Sequence, residues 1–301
     1  MRNKYFGLPV IAALAMTLAA CGGGTDKKPA TADAGTVCAS NTTTGDALAK
    51  ICDAGKIIVS TDPKYPPQSS LDEKTGKYVG FDIDVATAIA DRLGVQIEFT
   101  TPAWESITSG RWNGRWNMSV GSMTPTNDRQ KVLDFSQPYY YTPAVVVVNK
   151  ANTSVQDLST DLDGATIGVC GGCTYEQFLN KSLAIKGFTF DFVIDDAKAV
   201  GYDTDTSALN DLALGDGTRL DAVITSLTTA QGFIDAGKPV KIVGDPVFYE
   251  PLAVAIDKSS RDDPASFAAA VDKIVGELHS DGTLSKLSKK WYGGTDLTVQ
   301  Q

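Results

Sequence analysis

The chain has 301 residues, of which 43% are hydrophobic and 21% are charged, and its formal net charge is −9 at pH 7. This acidic excess argues against nucleic acid or an anionic lipid surface as the partner. The composition is that of an ordinary globular protein, and the length is long for one core and suits two lobes.

The N-terminus is typical of an exported protein. Arg2 and Lys4 precede an apolar run over residues 6–20, which is too short and too poorly flanked to cross a membrane. The run ends in Leu18-Ala19-Ala20-Cys21, which resembles a bacterial lipobox. We therefore predict a lipoprotein signal peptide over residues 1–21 with lipidation at Cys21. An ordinary signal peptide that happens to carry a cysteine is the alternative.

Residues 22–45 are mostly Gly, Thr, Ala, Asp and Lys, which predicts a flexible tether without a core of its own. No second apolar run of about 20 residues follows, so we expect the lipid to be the only membrane attachment. The expected location is outside the cytoplasm, in the periplasm or on the cell surface.

Four cysteines remain after Cys21, an even number in an exported chain. The simplest pairing is Cys38 with Cys52 and Cys170 with Cys173, although four cysteines allow three pairings. A zinc site made by all four thiolates is less favoured, since only Cys170 and Cys173 have metal-ligand spacing.

The first half of the chain alternates strand and helix patterns. Apolar residues recur at helical spacing over 80–93, and Gly94 ends that helix. The other predicted elements are strands at 56–60, 95–100 and 117–121, a proline-rich loop at 61–67, and helices at 104–111 and 127–132.

The second half repeats this alternation after a continuous apolar strand at 144–148. Strands alternating with helices indicate parallel β/α units. The predicted strands are 165–169, 188–194, 220–225, 240–243 and 252–256, and the predicted helices are 174–180, 207–214, 228–236, 264–279 and 283–291. The fold class is therefore α/β with two β/α series.

With these elements in place, the chain resembles the family 3 solute-binding proteins, the polar-amino-acid receptors of bacterial ABC importers. The most specific motif is Gly80-Phe81-Asp82-Ile83-Asp84-Val85, followed by Ile89-Ala90 and Leu93. Supporting motifs are Thr61-Asp-Pro-Lys-Tyr-Pro-Pro67, Gly121-Ser-Met-Thr124 with Arg129, Asp134-Phe-Ser-Gln-Pro-Tyr-Tyr140, and Gly168-Val with Gly172 and Thr174-Tyr-Glu.

The resemblance implies a two-lobe fold of the periplasmic-binding-protein type II class, which closes on a ligand. Lobe 1 would comprise residues 46–144 and 249–301, and lobe 2 would comprise residues 145–248. The hinge strands would cross at 143–150 and 246–256. The resemblance further implies a monomer that binds an amino acid or small organic acid and delivers it to an ABC permease. Neither catalysis, a cofactor nor a metal is expected.

Arg129 is the residue that the resemblance assigns to the ligand carboxylate, because a guanidinium binds a carboxylate through two parallel hydrogen bonds. The alternative is a surface ion pair with Asp128. Thr124 would offer its hydroxyl and backbone N–H, and Ser122 its backbone carbonyl.

Further residues match pocket positions of the family. Tyr65 and Trp104 would lie on either side of the ligand body, unless they only pack in a core, and Asp62 would accept from an amino group, unless it only caps its turn. In lobe 2, Gly172 and Thr174 would offer backbone N–H groups and a hydroxyl. A Cys170–Cys173 disulfide would then stiffen this turn.

One position departs from the family pattern. Relatives carry an aspartate after the strand at 220–224 that binds the ligand ammonium, whereas this chain has Ser226. Either Asp205, Glu250 or Asp62 replaces it, or the ligand lacks a free ammonium. Gln68, where many relatives carry an aromatic residue, would add a polar group near the rim.

Two other functions compete. A cyclohexadienyl-dehydratase-like enzyme on the same fold would use Glu176 or Glu250 as its acid. A thiol oxidoreductase would use Cys170 and Cys173, but the sequence around them lacks a thioredoxin-like context. The single histidine, His279, lies far from the cleft motifs and is expected to be solvated.

Overall fold

The structure of the protein is a computed structural model that describes residues 35–300. The predicted signal peptide, Cys21 and most of the predicted tether lie outside the described residues. The helices are α1 Val37–Ser40, α2 Ala47–Ala54, α3 Phe81–Leu93, α4 Trp104–Thr108, α5 Thr174–Leu179, α6 Asp205–Leu212, α7 Leu227–Asp235, α8 Ala265–Ser280 and α9 Thr283–Trp291. The strands are β1 Lys56–Ser60, β2 Lys64–Tyr65, β3 Ser69–Asp72, β4 Lys77–Val79, β5 Gln96–Thr100, β6 Met118–Met123, β7 Leu133–Asn149, β8 Thr166–Cys170, β9 Lys198–Tyr202, β10 Ala222–Ser226 and β11 Val240–Asp257.

Eight strands form one mixed sheet in the order β5-β1-β6-β11-β7-β10-β8-β9, and β2, β3 and β4 form a small antiparallel sheet. At one end of the large sheet β5, β1 and β6 run parallel, and at the other end β10, β8 and β9 do so. The central pair, β7 and β11, is antiparallel. The two predicted β/α series therefore form two parallel blocks on either side of two long strands.

These two long strands connect the lobes. The strand β7 has 17 residues and β11 has 18. The sequence predicts β11 only as two separate strands, at 240–243 and 252–256. The structure joins them through an irregular register between Val243 and Phe248. The run Gly244-Asp245-Pro246 interrupts the apolar pattern there, which is why the sequence does not reveal that the strand continues.

Each lobe has its own core. Two hydrophobic clusters take their buried residues only from 48–140 and 252–297, whereas two others take them only from 144–248. Separate cores let the lobes move as bodies about the strands between them. The α/β two-lobe fold class is confirmed.

The family motif at the start of α3 has a steric basis. Gly80 precedes the helix with φ of 141°, and a Cβ atom there would lie 2.1 Å from the carbonyl oxygen of Gln68. Only glycine fits so close to another backbone. The helix then buries Phe81, Val85 and Ile89 completely, at the spacing that the sequence shows.

The strand predicted at 188–194 is wrong, because that segment is irregular and the edge strand of lobe 2 is β9 instead. Phe188, Phe190 and Phe192 pack partly buried against the lobe 2 core. The ring of Phe190 lies 5.8 Å from that of Phe248. Their apolar pattern reflects side-chain packing without strand pairing, which periodicity alone does not distinguish.

The helix predicted over 127–132 is only a 3-10 turn at Arg129–Lys131. The predicted tether over 22–45 also ends too late in the chain. The short helix α1 lies within that range, and a disulfide joins Cys38 to Cys52 of α2. Among the described residues, no helix is long and apolar enough to cross a membrane.

Candidate functional site

The candidate site is the cleft between the lobes, where loops and helix starts follow the carboxyl ends of parallel strands. Such ends are the usual ligand sites of α/β sheets. The residues that line it are Asp62, Tyr65, Trp104, Gly121, Ser122, Thr124, Arg129, Cys170, Cys173, Thr174, Tyr175, Asp203, Asp205 and Glu250. Eight of the ten predicted ligand-binding residues are among them; Gly172 and Ser226 are not.

Arg129 is buried in this cleft although it is a cation. One guanidinium nitrogen donates to the carbonyl oxygen of Thr124 at 3.0 Å, and the other terminal nitrogen donates to that of Gly172 at 3.0 Å. The guanidinium carbon lies 5.0 Å from the ring centroid of Trp104. Burial lowers the pKa of Arg129 to about 10, so it remains charged at neutral pH. Its contacts therefore span both lobes.

The structure does not contain the alternative that the sequence left open, a surface ion pair between Arg129 and Asp128. Asp128 is exposed and its carboxylate lies 2.6 Å from the ammonium nitrogen of Lys131. Asp128 therefore does not pair with Arg129, and the guanidinium of Arg129 faces the cleft.

Ser122 lines the cleft in an unusual backbone conformation, with φ of 52°. Its backbone N–H donates to the hydroxyl of Tyr139 at 3.0 Å, and its own hydroxyl donates to Asp82 at 2.8 Å. Asp82 also accepts from the Tyr139 hydroxyl at 2.8 Å, and burial raises its pKa to about 7. Asp82, the first of the two acids in the family motif, therefore fixes the end of β6 and does not itself line the cleft.

Glu250 links the two lobes from the hinge strand β11. Its Oε2 accepts from the hydroxyl of Thr124 at 2.6 Å and from that of Thr174 at 2.7 Å. The residue is 3% exposed, and burial raises its pKa while these hydrogen bonds and the charge of Arg129 lower it. The sequence offered Glu250 as a substitute for the missing aspartate or as the acid of an enzyme, and its place between the lobes depends on the crossing of the strands.

Three aspartates complete the acidic lining. Asp205 begins α6 and is 6% exposed, and its Oδ1 has no hydrogen-bond partner among the described residues. Burial raises its pKa to about 7, and the charges of Asp62 and Glu250 contribute to that rise. Asp62 accepts from the backbone N–H of Lys64 at 2.9 Å, so it also caps its own turn. Asp203 is exposed.

Aromatic rings form the remaining walls. The hydroxyls of Tyr65, from lobe 1, and Tyr175, from lobe 2, lie 3.3 Å apart. Tyr175 is a residue that the sequence interpretation missed as part of the cleft. Its place directly after Thr174 in the turn motif is the signal that points to it.

Gly172 and Ser226 have other roles in this structure. The backbone N–H of Gly172 donates to Glu176 at 2.7 Å and its carbonyl oxygen accepts from Arg129, so its contact with a ligand stays a prediction. Ser226 caps α7 by accepting from the backbone N–H of Thr229, and its hydroxyl is 3.3 Å from the side-chain nitrogen of Gln68.

The prediction that Gln68 lies near the rim is wrong, since its side chain is fully buried. Its Nε2 donates to the hydroxyl of Thr228 at 2.6 Å, across the boundary between the lobes. Gln68 therefore ties the two lobes together through this hydrogen bond.

The two cysteine pairs are both disulfides, Cys38–Cys52 and Cys170–Cys173. The second pair lines the cleft as part of the turn before α5. Within residues 35–300, His, Cys, Asp and Glu form no group suited to a metal ion. His279 lies on α8, partly buried, with its Nε2 at 2.8 Å from the carbonyl oxygen of Pro138. It is less solvated than expected and does not line the cleft.

Comparison with known proteins agrees with this architecture. The model of the bacterial extracellular solute-binding proteins, family 3, matches residues 57–294. A probable amino-acid-binding protein of Bacillus subtilis, YxeM, is 27% identical over 307 residues, covering 100% of this chain and 99% of the relative. The L-cystine-binding protein TcyJ of Escherichia coli K12 is 27% identical over 247 residues, covering 82% of this chain and 86% of the relative.

A solved structure shares the fold. The ancestral amino acid-binding protein AncCDT-1, described as a precursor of cyclohexadienyl dehydratase, superimposes with a TM-score of 0.70. It is 30% identical, and the match covers 81% of this chain and 99% of that one. The family match spans most of the chain, including both lobes and both hinge strands. The chain therefore belongs to family 3 of the bacterial extracellular solute-binding proteins.

Proposed function

We propose that this protein is an extracytoplasmic lipoprotein that binds a polar amino acid or a related small carboxylate and delivers it to the permease of an ABC importer. The observation that carries the proposal is the buried guanidinium of Arg129, which lies between the lobes and contacts the backbone of each. The binding roles named for YxeM and TcyJ support the same class of ligand.

In this proposal the ligand carboxylate binds Arg129 and the backbone N–H groups of Thr124 and Thr174, whose hydroxyls donate to Glu250. Trp104 and Tyr65 would enclose the ligand body. Lobe 1 would comprise residues 46–144 and 249–301, and lobe 2 residues 145–248, with closure about β7 and β11. The protein would act as a monomer, without cofactor or metal, held to the membrane by a lipid on Cys21 and by the tether that follows.

The binding test is titration of the purified protein with a panel of amino acids and small organic acids, by calorimetry and by thermal unfolding. A ligand at a hundredfold its dissociation constant should add about 2.7 kcal/mol to the free energy of unfolding. Arg129→Ala should weaken binding of that ligand at least ~100-fold, because a buried charge loses its partner.

The matched control is Arg92→Ala. Arg92 lies on the outer face of α3 and pairs with Asp281 at the surface, so its loss should leave the affinity unchanged. Retained affinity in Arg129→Ala would remove Arg129 from the site, and weakened affinity in Arg92→Ala would indicate a general effect on the fold.

A second candidate function is a cyclohexadienyl-dehydratase-like elimination. It is favoured by Glu250, a buried carboxyl in the cleft whose pKa burial raises, as a general acid requires. The likeness to AncCDT-1 adds to this candidate. Turnover of prephenate that is lost in Glu250→Gln, without any amino-acid binding, would favour the enzyme over the receptor.

A further inference from the structure

The cleft contains more acidic than basic groups. Among the described residues that line it, Arg129 is the one cation, and the acids are Asp62, Asp203, Asp205 and Glu250. When lobes close over carboxylates they remove water from them, which is unfavourable unless a cation enters with the ligand. A zwitterionic amino acid adds one charge of each sign and leaves this acidic excess unchanged.

Asp205 is the strongest sign of a missing cation. Its side chain is almost completely buried and faces the cleft, and the side chain of Thr225 approaches it as a weak donor. No donor in residues 35–300 reaches its Oδ1 at full hydrogen-bond geometry. A buried acceptor without a donor is destabilising, and more so when it is charged. An ammonium group placed between Asp205 and Glu250 would supply donors to both.

The position of Asp205 explains how the chain functions without the acid at Ser226. Ser226 is the N-cap of α7, whereas Asp205 begins α6, the helix that precedes α7 in the chain. Both helix starts belong to lobe 2 at the same edge of the sheet. The hydroxyl of Ser226 accepts from Gln68, so the negative charge for an ammonium comes from the start of α6 instead.

The cleft continues outward into a larger cavity of about 850 Å³. Asp62, Trp104 and Asp203 line both spaces, so they mark the passage between them. The outer cavity also contains Glu105 and the exposed Lys64. The flexible side chain of a ligand could extend through this passage, with its cationic end between the carboxylates of Asp62 and Asp203. The indole ring of Trp104 beside them also favours a cation.

Granted the receptor role proposed above, we infer that the ligand is an amino acid with net positive charge. Its carboxylate binds Arg129, its α-ammonium lies between Asp205 and Glu250, and a second cationic group on a long side chain reaches Asp62 and Asp203. The specificity of the site is therefore for basic side chains over neutral ones of equal length.

The test compares ligands that differ in charge but hardly in shape. L-Arginine and L-citrulline have side chains of equal length, and only arginine is cationic at its end. L-Lysine and L-norleucine form a second pair. Calorimetric titration of the purified protein should give an affinity for the cationic member that is about 10- to 100-fold higher, the usual difference for a hydrogen-bonded charge.

Two variants assign the groups. Asp62→Asn should lower the ratio of arginine affinity to citrulline affinity, because the substitution removes a carboxylate that binds the cationic end of the arginine side chain. Asp205→Asn should weaken binding of both ligands about tenfold or more, because both carry the α-ammonium. Asp53→Asn is the matched control, since Asp53 is exposed on α2, away from the cleft. Thermal unfolding of each ligand-free variant checks that its fold is intact.

The outcomes separate this inference from the proposed function. If citrulline or glutamine binds as tightly as arginine, the receptor role stands and the inferred charge preference is overturned. If no free amino acid binds, both fail. An unchanged arginine-to-citrulline ratio in Asp62→Asn would also contradict the inferred position of the side-chain cation.

Discussion

Asp82 shows how one buried side chain can determine a site that it does not line. It accepts hydrogen bonds from Ser122 and Tyr139, and so holds Ser122 in its left-handed conformation at the cleft. Burial raises the pKa of Asp82 from its ordinary value of 3.8 to about 7. The native state therefore binds this proton more tightly than the unfolded chain does.

This difference has a defined sign. The stabilising contribution is complete below pH 3.8 and is lost as the pH rises through 7. Asp82→Asn mimics the protonated group and does not titrate. We expect the stability of the wild type relative to this variant to fall by about 2 kcal/mol between pH 5 and pH 7.

Urea denaturation of both proteins at several pH values measures that difference. Comparison with the variant cancels the contributions of other titrating groups. A difference that stays constant over this pH range would show that Asp82 has an ordinary pKa in the folded protein.

At the scale of elements, Gly80 fixes how α3 begins. Gly80→Ala would place a methyl group 2.1 Å from the carbonyl oxygen of Gln68, in a backbone conformation that L-residues rarely adopt. We expect a loss of more than about 3 kcal/mol in the free energy of unfolding, or failure to fold.

Gly76→Ala is the matched control for this substitution. Gly76 also has positive φ, at 67°, but nothing lies within 4 Å of the added Cβ. Gly76→Ala should lower the free energy of unfolding by only about 1 kcal/mol, the cost of the left-handed conformation alone. Equal losses in the two variants would show that crowding at Gln68 is not the cause.

At the scale of the whole molecule, the lobes are joined by side chains as well as by two strands. Gln68 donates to Thr228, the hydroxyls of Tyr65 and Tyr175 are close, and Glu250 accepts from both lobes. Only part of this set involves the cleft lining. The arrangement of the lobes in this structure is therefore stabilised partly by a contact outside the cleft lining, from Gln68 to Thr228.

Gln68→Met tests that idea, because methionine has similar length and no donor. We expect the ligand-free protein to open more, with a larger radius of gyration in small-angle X-ray scattering. Ligand affinity should fall several-fold, since binding must then supply more of the free energy of closure. An unchanged radius and affinity would show that this contact does not stabilise closure.

The sequence by itself determined the fold class, the family and the approximate bounds of most helices and strands, and it pointed to Tyr65, Trp104 and Arg129, which line the cleft. These features depend on residues close together in the chain: helical spacing after Gly80, apolar runs in β7, and the turn before α5. Local sterics and periodicity are readable without knowing distant partners.

Only the tertiary structure decided how distant residues share the cleft. Gln68 lies 160 positions from Thr228, and Glu250 lies 126 positions from Thr124. No pattern within one segment shows such pairs, so the rim position of Gln68 was wrong and the role of Glu250 stayed open. The same reason explains the segment 188–194, where packing of three rings against another part of lobe 2 resembles a strand pattern. The side chains of the cleft become buried, and their charges come close together, only when the two lobes lie side by side. The order of residues along the chain does not show that arrangement.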